Sequence, residues 1–383
     1  MFDVLIHTMP LSVCGVLTIE MGLSLLKKRD RALCWLALWS ATATVLYLCH
    51  MLYFEHITAA LPISDIVYVV CNLAVYPLYL IYLSELTQPK PLSKRRAELS
   101  LLLGIPLLGG MVAAALYGLM SQEDIQQFVE GYLYHGGISD GATRVVRAQC
   151  LWHNVCRVLF AIGVVVVMTA GLRLIRHYNH MVTLFYADAE DRQMHSVFWA
   201  LLLLVVTSLA SVAVNFMGRY FFVDSIWLAV PSFAFSFLLL FLGWTGLQTT
   251  YSIKDILPAD SAGSSSGEEE ATLSPAVIKR NQQLQERLQA FMDEERLYLQ
   301  TDIKLDDVAH RLGTNRTYLL AMLSQQLQMS FSEYINRQRI AYAEQLMATH
   351  PELSKTEVSL QSGYASPASF YRNYKLYKTK PEA

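Results

Sequence analysis

Charged residues are scarce in most of this chain. Of its 383 residues, 54% are hydrophobic and only 16% are Asp, Glu, Lys or Arg, whereas soluble domains average about 25% charged residues. The scarcity is marked between Arg31 and Arg144, and it ends in residues 277–383, which are dense in both signs of charge. We therefore expect lipid to surround the first part of the chain and water to surround the last part.

Recognisable catalytic and cofactor motifs are absent as well. The chain has no P-loop, no dinucleotide-binding fingerprint and no HExxH. Its six cysteines show neither CxxC nor zinc-site spacing. We predict no catalytic residues, no metal site and no cofactor. A transporter is also disfavoured, because the deepest acid of the apolar part, Glu20, has no charged partner at its depth and no paired ionisable groups are recognisable there.

Seven apolar stretches are each long enough to cross a bilayer core, which takes about 20 helical residues. They run over residues 4–26, 33–54, 66–84, 99–120, 155–175, 196–218 and 225–248. Lys and Arg are frequent after the first, third and fifth stretches and rare in the alternate loops. Since basic loops stay in the cytoplasm, the N-terminus is expected outside and the C-terminal part inside. We predict an all-α fold that begins with a seven-helix transmembrane sensor domain over residues 1–250.

Several polar side chains fall within the outer half of the predicted bundle. Polar groups in a membrane are costly and usually face a partner or a cavity. One interpretation is a pocket, opening outward, for a small-molecule or membrane signal. The other is interhelical hydrogen bonding that only holds the bundle together. The candidate pocket residues are His50, Tyr68, Asn72, His153, Arg157 and Asn215.

A Ser/Gly/Glu-rich run separates the apolar part from the rest. Residues 251–274 include SAGSSSGEEE, lack apolar periodicity and are typical of a flexible tether. The predicted helix after the tether carries a short heptad seam, formed by Val277, Asn281, Leu284, Leu288 and Phe291. Two uses of the seam stay open: packing within the chain, or locking a homodimer whose two copies a signal pairs in the membrane.

The last part of the chain repeats one plan on either side of a long helix. That helix is predicted over residues 330–347, where apolar residues recur three or four positions apart. Residues 305–327 and 354–377 each read as a short helix, a glycine turn and a second helix. The expected turns and caps are Gly313, Asn315, Ser354, Gly363 and Ser366. Two helix-turn-helix units favour DNA binding, because each second helix can enter a major groove.

Together these residues resemble the DNA-binding domain of the AraC/XylS-type transcription regulators. The resemblance covers residues 277–381 and rests on Leu305, Ala309, Gly313, Leu319, Phe331, Tyr334, Ile335, Arg339, Ala343, Gly363, Tyr364, Ser366, Phe370, Arg372 and Lys375. It implies a DNA-binding domain over residues 275–383 with DNA as a partner. The residues that it places against DNA are Asn315, Arg316, Thr317, Leu320, Ser366, Pro367, Ala368, Ser369, Arg372 and Lys375.

The expected protein is a one-component transcription regulator, not an enzyme, embedded as a multi-pass protein in the bacterial inner membrane. Family members usually carry a polar pair where this chain has Leu320 and Ala321. That departure keeps open a second hypothesis, a membrane interaction protein whose helix-turn-helix domain binds a protein partner. A membrane enzyme or transporter with a regulatory tail is a third hypothesis.

Overall fold

The described part of the chain is helical, as predicted. The computed structural model describes residues 2–27, 30–189, 199, 202, 206, 208–209, 212–213, 216–222, 226–248 and 275–378. The predicted tether, 251–274, lies outside these residues. Contacts divide the chain into two compact units: unit 1 comprises Met1–Ile175 and His195–Ile253, and unit 2 comprises Arg176–Met194 and Lys254–Ala383.

Unit 1 is built from long apolar helices. Its helices are α1 (Phe2–Lys27), α2 (Arg31–Phe54), α3 (Leu61–Thr87), α4 (Arg96–Gly118), α5 (Gln122–Gln127), α6 (Arg144–Phe185, shared with unit 2) and α7 (Ala229–Gln248). Six of the described helical segments are long and apolar enough to cross a membrane, namely α1 to α4, α6 and Ile226–Leu247. The sixth predicted stretch, 196–218, falls largely outside the described residues. The count of seven spans therefore stays a prediction.

Helix α3 lies at the centre of unit 1. It packs against both α2 and α4, while α1 and α7 pack against each other and against α2. Every residue from Tyr76 to Thr87 is buried, as expected of a helix that has neighbours on all sides. The connection predicted as the loop 121–153 is largely ordered: a capping box at Ser121 starts α5, and a π-helical segment, Phe128–Tyr134, follows it directly.

Unit 2 carries the two short helix pairs. Its further helices are α8 (Pro275–Glu295), α9 (Leu305–Arg311), α10 (Arg316–Gln325), α11 (Phe331–Thr349), α12 (Lys355–Gln361) and α13 (Pro367–Tyr377). Helix α11 begins one residue after the Ser330 cap and joins the two pairs, as predicted. An apolar cluster of Ile340, Ala343, Leu346, Val358, Tyr364 and Phe370 joins α11 to α12 and α13.

Residues 176–189 belong to unit 2, although the sequence assigns them to the membrane domain. Helix α6 runs without interruption from unit 1 residues into unit 2 residues and ends at Phe185. Beyond it, Tyr186 forms an isolated antiparallel bridge with Lys304, the one β-type pairing among the described residues.

Candidate functional site

The first helix-turn-helix comprises α9, a turn and α10. Gly313 makes the turn with a φ of 60°, in the left-handed region that glycine occupies without strain. The Oδ1 atom of Asn315 then accepts the amide N–H of Thr317 at 2.9 Å, which caps α10 as predicted. Leu319 is fully buried on the inner face of α10. This burial and the cap fix the orientation of the outer face.

The predicted DNA-contacting residues of α10 lie at its N-terminal end. Asn315 and Thr317 are exposed, whereas Arg316 and Leu320 are half-buried. The Nη1 atom of Arg316 lies 3.6 Å from Oδ2 of Asp306, and its guanidinium carbon lies 5.9 Å from the centre of the Phe185 ring. Arg316 is thus held by neighbours on two sides in this structure.

The second helix-turn-helix has a tighter turn. Gly363 adopts a φ of 83°, and a Cβ there would lie only 2.7 Å from the carbonyl oxygen of Leu299. Both the backbone angle and the close approach therefore require glycine. In the Ser354 cap, the hydroxyl and the amide donate to the carboxylate of Glu357 at 2.7 and 2.8 Å. These bonds favour the charged carboxylate and lower the pKa of Glu357 below its usual value of 4.5.

Helix α13 presents the second set of predicted DNA-contacting residues. Ser366 caps it and Pro367 occupies its first turn, as predicted. Ala368, Arg372 and Lys375 are exposed, and Ser366 and Pro367 are half-buried. Ser369 is the exception among the ten predicted residues because it is buried. Its amide donates to the Ser366 hydroxyl at 3.3 Å, so in this structure it completes the cap instead of facing solvent.

The heptad seam of α8 packs within the chain. Asn281, Leu284 and Leu288 are 2%, 5% and 1% exposed, and α8 lies against α10. The Gln326 amide also donates to the side chain of Gln285 at 2.7 Å. Of the two uses that the sequence left open, the structure shows the first. The use of the seam in locking a homodimer stays a prediction, although Asn281, Leu284 and Leu288 are already buried within unit 2.

Five of the six predicted pocket residues line two neighbouring cavities of unit 1. His50, Tyr68 and Asn72 border the larger cavity, of about 130 Å³, whose other walls are mainly apolar. Tyr68 and Asn72 also border a smaller one, of about 40 Å³, together with His153 and Arg157. Asn215, the sixth predicted residue, lies outside the described residues. The structure thus brings the described candidates together around shared walls.

A buried charged cluster beside these cavities corrects one expectation. The Oδ1 atom of Asp65 lies 3.0 Å from Nη2 of Arg219, and its Oδ2 atom lies 2.8 Å from Nε2 of His153. The Tyr117 hydroxyl also donates to Oδ2 at 3.0 Å. The guanidinium of Arg219 stacks on Tyr68 at 4.2 Å. The prediction that the apolar part holds no paired ionisable groups is therefore wrong.

The sequence analysis missed this cluster because it placed the start of the third apolar stretch after Asp65. Helix α3 begins at Leu61, whereas the predicted apolar stretch began at residue 66, one position after Asp65. Extending the stretch by one helical turn would have placed an acid inside it. The correction removes one argument against a transporter, so the choice of function rests on unit 2. Among the described residues, no group of three His, Cys, Asp or Glu side chains could hold a metal ion.

Comparisons with known proteins agree on the C-terminal part. The family model described as "Helix-turn-helix domain" matches residues 308–381. An uncharacterized HTH-type transcriptional regulator of Staphylococcus aureus strain MSSA476 is 28% identical over 81 residues, which are 21% of this chain and 11% of that protein. Another from S. aureus is 29% identical over 79 residues, 21% of this chain and 10% of that protein.

The chain therefore spans only about a tenth of the length of the curated relatives that it matches. No solved structure matches the chain. The C-terminal part is a helix-turn-helix domain, and its relatives support a DNA-binding regulator.

Proposed function

We propose that this protein is a membrane-embedded, one-component transcription regulator of the AraC/XylS type. The observation that carries the proposal is the pair of capped helix-turn-helix units in a chain with six long apolar helices. The apolar helices hold the protein in the bacterial inner membrane, with the N-terminus outside and unit 2 in the cytoplasm. There, α10 and α13 present their N-terminal residues to successive major grooves.

Each predicted contact has a distinct role in this proposal. Arg372 and Lys375 are exposed about one turn apart on α13, where an arginine can donate two hydrogen bonds to a guanine edge and a lysine can pair with a phosphate. On α10, the exposed polar side chains of Asn315 and Thr317 are the groups that contact DNA. Leu320 contributes apolar contact with a thymine methyl group, since it cannot donate hydrogen bonds to a base edge.

The signal enters through the larger of the two neighbouring cavities. Its walls are mostly apolar, and Arg219, His50, Asn72 and Ser232 are among its polar groups, a combination that suits a small amphipathic molecule. Such a ligand alters the protein only if it binds one of two conformations more tightly. The cavity borders α6, which contributes Phe160 to its wall. A ligand there therefore contacts the helix that continues into unit 2.

Duplex selection tests the proposed DNA binding. The full chain in lipid nanodiscs is incubated with a random duplex pool, and an enriched sequence is expected. Arg372→Ala should then weaken binding by about 1–3 kcal/mol and relax the preference at one base pair. Lys279→Ala, which removes one exposed charge from α8, is the matched control and should change little. Failure to enrich any sequence would favour the hypothesis of a protein-binding domain.

Reporter fusions test the proposed topology. Alkaline phosphatase, which is active only outside the cytoplasm, is fused after Ile138 and separately after Ala383. The first fusion should be active, since the loops on that side are poor in basic residues, and the second inactive. High activity from the second fusion would place unit 2 away from the chromosome and refute the proposal.

A further inference from the structure

A short segment of the chain lies in a groove of the helix-turn-helix domain. This segment, residues 185–189, begins with the last residue of α6 and is called the strap here. Its members Tyr186, Ala187 and Ala189 are 3%, 0% and 2% exposed. The strap is therefore part of the interior of unit 2, although the sequence separates it from α8 by residues 190–274.

Hydrogen bonds to its backbone fix the strap on both edges. The Ala187 amide donates to the carbonyl of Ile303 at 3.2 Å, next to the bridge between Tyr186 and Lys304. On the other edge, the carbonyl of Ala187 accepts hydrogen bonds from the Ser332 hydroxyl at 2.8 Å and from the side-chain amide of Asn336 at 3.0 Å. One residue thus connects the segment before α9 to the first two turns of α11.

An ion pair closes the groove. Arg339 of α11 is completely buried, and its Nη1 atom lies 2.5 Å from Oδ1 of Asp188. Oδ2 of Asp188 accepts the amide N–H of Asp302 at 2.8 Å, and Arg339 also donates to the carbonyl of Gln300 at 2.8 Å. Desolvation offsets much of the attraction in a buried pair. The pair therefore specifies where the strap lies without making its docking irreversible.

The strap begins beside α10, the second helix of the first helix-turn-helix. The Phe185 ring lies 5.9 Å from the guanidinium of Arg316, the first residue of α10. An α-helix with its side chains is about 10 Å wide, so the end of α6 fills space next to the N-terminus of α10. A DNA duplex that receives Arg316 needs that space.

We propose that the strap is an internal ligand of the helix-turn-helix domain that excludes DNA from α10 while it is docked. Release of the strap removes the Phe185 contact of Arg316 and opens the approach to α10. The signal acts by shifting the equilibrium between docked and released strap through α6, which carries His153 and Arg157 at the cavity wall and the strap at its end. A continuous helix transmits a displacement along its axis. This inference rests on the proposed function, since it concerns control of the same DNA-binding surface.

A reversible disulfide tests the inference in one molecule. Tyr186→Cys and Lys304→Cys are introduced together, because bridged antiparallel residues lie about 4.5–5.5 Å apart and a disulfide spans that distance. Cys34→Ser removes the one native cysteine that is exposed; the other five are buried. The full chain in nanodiscs is oxidised or reduced, and its affinity for the selected duplex is measured. The two single-cysteine variants control for the substitutions.

The oxidised, locked chain should bind the duplex about 5- to 150-fold more weakly than the reduced chain, the range of a typical coupling between two sites. Asp188→Asn removes the charge but keeps the shape of the side chain. This variant should bind the duplex more tightly than the parent, and its Asp302 backbone amide should exchange hydrogen faster. Equal affinity of the locked and reduced chains would overturn the inference, as would tighter binding by the locked chain. If no form binds any duplex, the proposed function fails and the inference fails with it.

Discussion

Replacement of Leu288 by Ala distinguishes a core helix from a dimer seam. Leu288 is 1% exposed within unit 2, and truncation of a buried leucine costs about 2–5 kcal/mol of the free energy of unfolding. A typical domain has a total stability of only about 5–15 kcal/mol. Leu288→Ala should therefore bring unit 2 close to unfolding, whether or not the protein forms a dimer.

Amide hydrogen exchange of the full chain is the suitable assay, because it reports each unit separately. Tryptophan fluorescence would report only the apolar part, since the six tryptophans are Trp35, Trp39, Trp152, Trp199, Trp227 and Trp244. At 1.4 kcal/mol for each factor of ten, the most protected amides of α10 and α11 should exchange about 30- to 4,000-fold faster. Gln282→Ala, an exposed position on α8, should leave their rates unchanged.

The contrary result has a definite form. If Leu288→Ala leaves exchange in unit 2 unchanged but abolishes chemical cross-linking between two copies in nanodiscs, the seam pairs subunits. The packing of α8 against α10 would then not be the arrangement in the membrane-bound protein.

Three further perturbations act on the caps and the tether. Ser366→Ala should cost about 1 kcal/mol of helix stability, which amide hydrogen exchange in α13 measures. Unchanged exchange would show that Ser366 does not stabilise α13 as a cap. Glu357 should titrate in an NMR experiment below 4.5. Because its folded pKa is depressed, its contribution to stability is complete above the unfolded pKa and is lost as pH falls through the folded pKa; Ser354→Ala should reduce the shift, because it removes the hydroxyl bond and leaves the backbone bond. Doubling residues 261–267 should leave the signal response intact, since each doubling of a loop costs about 0.6 kcal/mol; a lost response would give the tether a mechanical role.

Local features of unit 2 were predictable from the sequence. A cap such as Asn315 or Ser366 acts on the two or three residues that follow it, and a glycine turn such as Gly363 depends on its own backbone angle. Both leave a signature within a few residues. The apolar period of α8 likewise predicts a buried face, but a period does not identify the partner of that face, which the structure shows to be α10 within the same chain.

Long-range pairings were not predictable in the same way. Asp188 meets Arg339 across 151 positions of sequence, and nothing in either local pattern indicates the other. Asp65 was missed because it lies where hydropathy begins to rise, so the end of an apolar stretch decides whether the acid counts as loop or helix. In the predicted sensor pocket, the spans and their orientation placed five described residues in the outer half of the bundle, but the charged Asp65 and Arg219 beside them came from outside that set.

The partners of Asp65 are synthesised one after another, all of them later than Asp65 itself. Tyr117, His153 and Arg219 follow it in the chain by 52, 88 and 154 positions. At a synthesis rate of about 5–20 residues per second, Arg219 emerges roughly 8–30 s after the carboxylate that it neutralises. The ribosome thus delivers the parts of this cluster in sequence, and the full set of Asp65 partners exists only once Arg219 has emerged.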